Sequence, residues 1–154
     1  MPVPLSVSFH CTLRAATLED FDFAEALTRT NMDVYYHRHG LTWRADLFLA
    51  SWQLSENYIV ERDCYRIGVL RISNDADALH IRDLQLVPEA RGAGGGTFLL
   101  ETVHAWARRR RLRILRLRVF TDNPATRLYA RLGYQNVGGQ LVDFGIIKQM
   151  ERLA

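Results

Sequence analysis

The residues best suited to chemistry lie in one stretch, His80-Ile-Arg-Asp-Leu-Gln-Leu-Val-Pro-Glu-Ala-Arg-Gly-Ala-Gly-Gly-Gly-Thr97. Arg91 opens a loop with glycine at positions 92, 94, 95 and 96, and an apolar helical pattern (Phe98, Leu99, Val103, Trp106) begins at once. Glycines leave backbone N–H groups bare and pointing into one concavity. The N-terminus of the following helix adds roughly half a positive charge. Together they make a site for a phosphate or pyrophosphate. The spacing Arg91-x-x-Gly94-x-Gly96 is not the dinucleotide fingerprint, although Gly92-Ala93-Gly94 starts like one. It is not a P-loop either, because no Lys-Ser/Thr pair follows. A flexible loop with helix-entry glycines is the alternative that this stretch alone leaves open.

The elements that must hold this loop follow from periodicity. Ile81, Leu84, Leu86 and Val87 form a mostly apolar run suited to a buried strand, and Pro88 ends it. Upstream, Val7, Phe9, Cys11 and Leu13 alternate with polar residues, predicting a first strand. Thr17-Leu-Glu-Asp20 reads as a capping box for a helix running to about Tyr35-Tyr36, with Gly40 as its breaker. Trp43, Leu47, Ala50 and Leu54 suit a second helix. Strands are predicted over Tyr58–Glu61 and Tyr65–Ile72, then a polar turn at Asn74–Asp77 leads into the central strand. After the glycine helix, a strand spans Ile114–Phe120. A helix opens at Pro124 behind Asn123 as its cap and ends at Gly133. A short strand from Tyr134, a Gly138-Gly139 turn and a strand over Leu141–Lys148 close the chain. The order is β-α-α-β-β-β-α-β-α-β-β, an α/β fold whose sheet is mixed, because strands are linked by both hairpins and helices.

The second stretch with chemical potential is Val119-Phe-Thr-Asp-Asn123-Pro-Ala-Thr-Arg-Leu-Tyr129-Ala-Arg-Leu-Gly133-Tyr134. Paired with the glycine loop, it resembles the GNAT superfamily of acetyl-CoA-dependent N-acetyltransferases. Arg91, Gly94 and Gly96 carry the first motif of that family. Asn123, Leu128, Tyr129, Gly133 and Tyr134 carry the second, and the resemblance runs from Leu13 to about Met150. Gly95 departs from it, because an aliphatic residue is usual there. A glycine in the first helical turn costs roughly 1 kcal/mol of helix propensity but keeps the N–H group.

The resemblance implies a mostly antiparallel central sheet flanked by helices and acetyl-CoA as co-substrate, without a metal. Its pyrophosphate is expected on the N–H groups of Arg91, Gly92, Ala93, Gly94, Gly95 and Gly96, with the Thr97 hydroxyl as an extra donor. The pantetheine arm is expected to pair with the backbone at Leu86 and Val87, between splayed strands, and to contact Asn123. For Asn123 a plain helix cap is the other reading, and both can hold. Tyr129 takes the position of the general acid that protonates the departing thiolate, and a phenol of pKa about 10 suits that role. Packing against the sheet is the alternative. Asp83 is the candidate base, against the alternative of a satisfied polar residue at a sheet edge. A backbone N–H near Val87 is expected to meet the developing oxyanion. Glu89 reads as exposed, and His80 and His104 as surface histidines. Asn31, Tyr35, Tyr36 and Trp43 fall where the family binds its acceptor, though each also suits an ordinary core or loop position.

The implied activity is transfer of an acetyl group to a primary amine in a ternary complex, with a non-catalytic acyl-CoA-binding or sensing module as the alternative. Small-molecule and peptide amines are both open as acceptors. With 154 residues, 48% of them hydrophobic, the whole chain (1–154) is expected to form a single domain. The arginines from 108 to 118 read as a helix end complementing its dipole, or as long-range attraction for the phosphates. A formal charge of +3 and the lack of interleaved aromatics argue against a nucleic-acid partner. Cys11 and Cys64 lack metal-type spacing and read as free buried thiols. No apolar run reaches membrane-spanning length, so a soluble cytoplasmic protein is expected. Homodimers are common in the family, and no stretch of this sequence demonstrates one.

Overall fold

A computed structural model describes residues 10–142 and 146–154. Seven strands form one sheet in the order β1-β2-β3-β4-β5-β7-β6. They are β1 (Thr12–Ala15), β2 (Glu56–Arg62), β3 (Tyr65–Asp75), β4 (Ala78–Leu86), β5 (Ile114–Phe120), β6 (Gln135–Val142) and β7 (Ile147–Leu153). Four α-helices flank them: α1 (Phe21–Arg38), α2 (Ala45–Leu54), α3 (Gly95–Arg109) and α4 (Ala125–Arg131). The expected mixed, mostly antiparallel sheet is what forms. Among the described strands the parallel pairing is β4 with β5, and α3 is the crossover that a parallel pair requires.

Each face of the sheet is covered by different helices, because β3 is apolar on both. Leu70 and Ile72 join Leu79, Leu100, Val103, Leu115 and Leu117 beneath α3. Val69 joins Ile59, Ala24, Leu27, Phe48 and Trp52 beneath α1 and α2. The capping box at Thr17 and Asp20 is present, and it opens a short 3-10 turn before α1. Asp20 also anchors the entry of α1 through Arg14, at 2.7 and 2.9 Å.

The structure corrects several expectations. The first strand is confined to Thr12–Ala15, and Val7 and Phe9 lie outside the described residues. Gly138 and Gly139 are not the final turn. They fall within β6, where the register with β7 shifts between Asn136 and Leu141, and the strand continues through them to Val142. Glycine inside a strand marks such an irregularity as readily as it marks a turn. Cys64 is exposed and Cys11 half-buried, both with free thiols. Two arginines of the 108–118 run pair with acids from elements distant in sequence. Arg110 grips Glu56 at 2.6 Å, and Arg116 lies between Glu151 and Asp75.

His80 is not a surface histidine. It is buried in β4, and burial together with Arg82, Arg116 and Arg118 pushes its imidazole down to about 4. Between its ordinary value of 6.5 and about 4, the unfolded chain holds a proton that the folded one lacks. Stability must therefore fall as pH falls through that window, by about 3 kcal/mol in full. Urea unfolding at pH 7 and pH 4.5 is expected to show this loss in the parent and its removal in His80→Gln.

Candidate active site

β4 and β5 pair only from Ala78/Ile114 to Ile81/Leu117 and then part. Two local features part them. Arg71 pairs with Asp83 while Ile72 pairs with Ile81, so Arg82 is an extra residue that bends β4. Beyond it, Pro88 opens a 3-10 turn that carries the chain into the glycine loop. The gap is a cleft of about 960 Å³ lined by β4, β5, the loop, α4, α1 and α2.

The loop enters the cleft through left-handed glycines, Gly92 (φ 77°) and Gly94 (φ 86°). Gly94 caps α3, and its carbonyl accepts the Phe98 N–H at 3.0 Å. The first-turn amides of α3, at Gly95, Gly96 and Thr97, have no acceptor within the helix. The Arg91 amide is not part of this set, because it donates to Pro88 at 3.2 Å. Gly96 permits close packing on α4: a Cβ there would meet Leu128 Cδ2 at 2.8 Å. At Gly94 a Cβ would meet nothing within 4 Å, so the left-handed backbone alone requires glycine. Gly94→Ala is expected to destabilise the fold by about 1–2 kcal/mol, read from the urea midpoint.

Tyr129 owes its placement to how α4 stops. Gly133 (φ 94°) donates to Ala130 at 3.1 Å, and the Tyr134 N–H reaches back to the Tyr129 carbonyl at 3.0 Å. That double closure is the Schellman stop, with Tyr129 and Tyr134 in the two positions that touch. Their rings meet edge to face at 5.9 Å. Burial and the charge of Asp83 push the Tyr129 phenol up to about 12. At the other end of α4, the N-cap is Pro124 rather than Asn123, and the Asn123 side-chain oxygen accepts the Ala125 N–H at 2.9 Å from one residue further out.

Asp83 is not at a sheet edge. β4 lies inside the sheet, and the Asp83 carboxylate receives Arg71 Nη1 at 2.7 Å. Sequence reasoning missed Arg71, which is 2% exposed. Its guanidinium also donates to Asn57 Oδ1, Ser51 Oγ and Ser55 Oγ at 3.2, 2.5 and 3.1 Å. It lies under the Phe48 ring at 4.7 Å. The available signal was a single charge inside the apolar run Ile67–Ile72. Despite this partner, burial holds the Asp83 carboxyl above the usual carboxylate range. The Tyr36 phenol is also raised, by burial and then by the charge of Asp83.

Asn31 does not simply face the acceptor side. Its Nδ2 donates to Gln85 Oε1 at 3.1 Å and to the Leu86 carbonyl at 3.0 Å, and its Oδ1 accepts Arg91 Nη2 at 2.6 Å. It ties α1 to β4 and to the loop. Tyr35 and Tyr36 pack on Phe120 at 5.6 and 5.9 Å, and Tyr36 packs on Trp43 at 5.6 Å. These rings form a continuous wall along one side of the cleft. The Val87 amide is committed to Ile67, at 2.9 Å, so it cannot meet an oxyanion. Alternation along the ladder then turns the Leu86 N–H the other way, into the gap. Val87 and Ala93 fall outside the lining, whereas the other candidate catalytic, cofactor-binding and acceptor-binding residues reach it. Glu89 is exposed, as expected.

This strand–loop–helix site over a forked sheet belongs to a known class. Residues 19–134 match the Acetyltransferase (GNAT) family, and the chain is a member of it. Solved structures of the same fold include the ribosomal-protein-S18-alanine N-acetyltransferase of Escherichia coli, at 18% identity and TM-score 0.70, covering 94% of each chain. PaiA N-acetyltransferase of Thermoplasma acidophilum, in complex with coenzyme A, has 18% identity and TM-score 0.71, covering 94% of this chain and 99% of that one. A GNAT family acetyltransferase of Elizabethkingia anophelis, with acetyl-CoA bound, has 13% identity and TM-score 0.70, covering 94% and 98%. Comparison with curated protein sequences gave no match. No helix among the described residues is long and apolar enough to cross a membrane.

Proposed function

We propose that this chain transfers the acetyl group of acetyl-CoA to a primary amine by direct attack in a ternary complex. The observation that carries the reading is the fork of β4 and β5, which gathers the bare amides of the loop, Asp83 and Tyr129 around one cleft. The amides of residues 92–97 and the α3 N-terminus suit the diphosphate. The Leu86 N–H and carbonyl, directed into the gap, suit an extended pantetheine arm pairing as an added strand. Arg91 Nε and Asn31 Nδ2, which donate to that carbonyl at 3.3 and 3.0 Å, give way to it. The Asn123 side-chain amide supplies a further donor beside the arm.

An ammonium cannot attack a thioester, so Asp83 takes its proton, directly or through water. Its raised carboxyl makes it a stronger base than a surface aspartate. The Leu86 amide meets the negative charge that develops on the carbonyl oxygen. Tyr129, still protonated, hands its proton to the departing sulfur. The experiment is thiol release from acetyl-CoA across a panel of amines, with the acetylated amine identified by mass spectrometry. Asp83→Asn should abolish the release. Tight acetyl-CoA binding with no release on any amine would leave a binding module instead.

A further inference from the structure

A chain of hydrogen bonds runs from the glycine loop to the candidate base. Arg91 Nη2 donates to Asn31 Oδ1 at 2.6 Å, Asn31 Nδ2 to Gln85 Oε1 at 3.1 Å, and Gln85 Nε2 to Asp83 Oδ1 at 3.4 Å. The strand accounts for its last link. Residues two apart on β4 share a face, so the Gln85 amide lies beside the Asp83 carboxylate. That face is the one beneath α1, which brings Asn31 to Gln85. The other Asp83 oxygen, Oδ2, takes Arg71 Nη1 at 2.7 Å. Each carboxylate oxygen therefore has its own donor, one from β3 and one from β4.

The direction of the chain is fixed at its ends. A guanidinium only donates and an ionised carboxylate only accepts, whereas a primary amide does both. With Arg91 at one end, Asn31 must turn its oxygen to the loop and its nitrogen to Gln85. Gln85 must then turn its nitrogen to Asp83. A flip of either amide sets donor against donor or acceptor against acceptor. The second Asn31 Nδ2 proton goes to the Leu86 carbonyl at 3.0 Å. The link to Gln85 therefore does not depend on that carbonyl and outlasts its surrender to a pantetheine arm.

We propose that Gln85 is a positioning residue for the base: aligned by Asn31, its amide holds the Asp83 carboxylate ionised and oriented to take a proton from the acceptor amine. The proposal rests on the acetyl-transfer reading and deepens it. Burial favours the neutral acid at position 83, and a hydrogen bond donated to the carboxylate favours the ionised form. A base must be ionised before it can accept a proton. The charged and titratable groups that act on Asp83 or feel its charge are Arg71 on β3, Arg82 on β4, Tyr36 on α1 and Tyr129 on α4. All four are kept in the variants below.

The test follows the Asp83 carboxyl across pH by carbon-13 NMR of aspartate-labelled protein, its resonance assigned by its disappearance in Asp83→Asn. Gln85→Met keeps the length of the side chain and loses the amide. Its titration midpoint should rise by about 0.5–1 pH unit, the effect of losing one hydrogen bond of ordinary net strength. Asn31→Leu leaves the Gln85 amide unaligned, so the midpoint should rise there too, by less. Both positions are half-buried and both substitutes are close in size, so the variants should fold. The double variant should match Gln85→Met alone, because Asn31 acts through Gln85. A parent-like midpoint in either single variant, or shifts that add in the double one, overturns the proposal. Where an amine is acetylated, the acidic limb of kcat/KM should move with the midpoint. A midpoint that rises beneath an unmoved limb also overturns the proposal, because the reaction then does not use the carboxylate that the chain holds. Raised midpoints with no amine acetylated uphold the chain and remove the transfer reading instead.

Discussion

Tyr129→Phe is expected to lower kcat for acetyl transfer by about 10²–10⁴-fold, the range for losing a general acid, with acetyl-CoA affinity unchanged. The phenylalanine ring keeps the contact with Tyr134, and the backbone closure of Tyr134 and Gly133 onto α4 involves no Tyr129 side-chain atom. Only the proton donor is removed. Because burial and Asp83 push the phenol up to about 12, it stays protonated throughout the neutral range. The parent's pH profile should therefore show no limb from Tyr129 there. Steady-state rates with a good acceptor, alongside acetyl-CoA titration of both proteins, check the prediction. A variant with parent-like kcat would remove Tyr129 from the mechanism and leave it a packing role.

Arg71→Met should act on stability and on chemistry together. A guanidinium 2% exposed, in an ion pair with a carboxylate 17% exposed, cannot be removed without leaving Asp83 buried and unpaired. Breaking one side of such a pair costs about 3–5 kcal/mol. With that attraction gone, the desolvation that already raises the Asp83 carboxyl is opposed only by the Gln85 hydrogen bond and the charge of Arg82. The base is then ionised only at higher pH, so the acidic limb of kcat/KM moves upward. Arg71→Lys keeps the charge and should hold the limb nearer the parent's. Urea unfolding measures the first effect and a pH–rate profile the second. A large loss of stability with an unmoved limb would separate Arg71, and Asp83 with it, from the proton transfer.

The parts of the site that were legible in the sequence are those built from local backbone chemistry. The glycine loop, and the tyrosine placed four residues before a helix-ending glycine, are written within single turns of chain. Their residue types follow from φ angles and caps that neighbours alone determine. Arg71, His80 and the fate of the Leu86 and Val87 amides were not legible, because each depends on a partner in another strand. The Arg71–Asp83 pair exists only in the register of β3 against β4, and that register includes an extra residue that no periodicity reveals. The final turn was misplaced for a related reason. Two adjacent glycines suit a turn and an irregular strand equally, and only pairing with β7 separates the two.

The central claim is that bare backbone amides at residues 92–97 hold a diphosphate and so bring a thioester into the fork. Calorimetric titration with acetyl-CoA, and with S-acetylpantetheine, which has the same thioester but no diphosphate, tests it most directly. Acetyl-CoA is expected to bind with a dissociation constant of about 1 μM to 1 mM, the range in which enzyme KM values fall, and the truncated thioester at least a hundredfold more weakly. No heat from folded protein with acetyl-CoA, or equal affinity for the two thioesters, would contradict it.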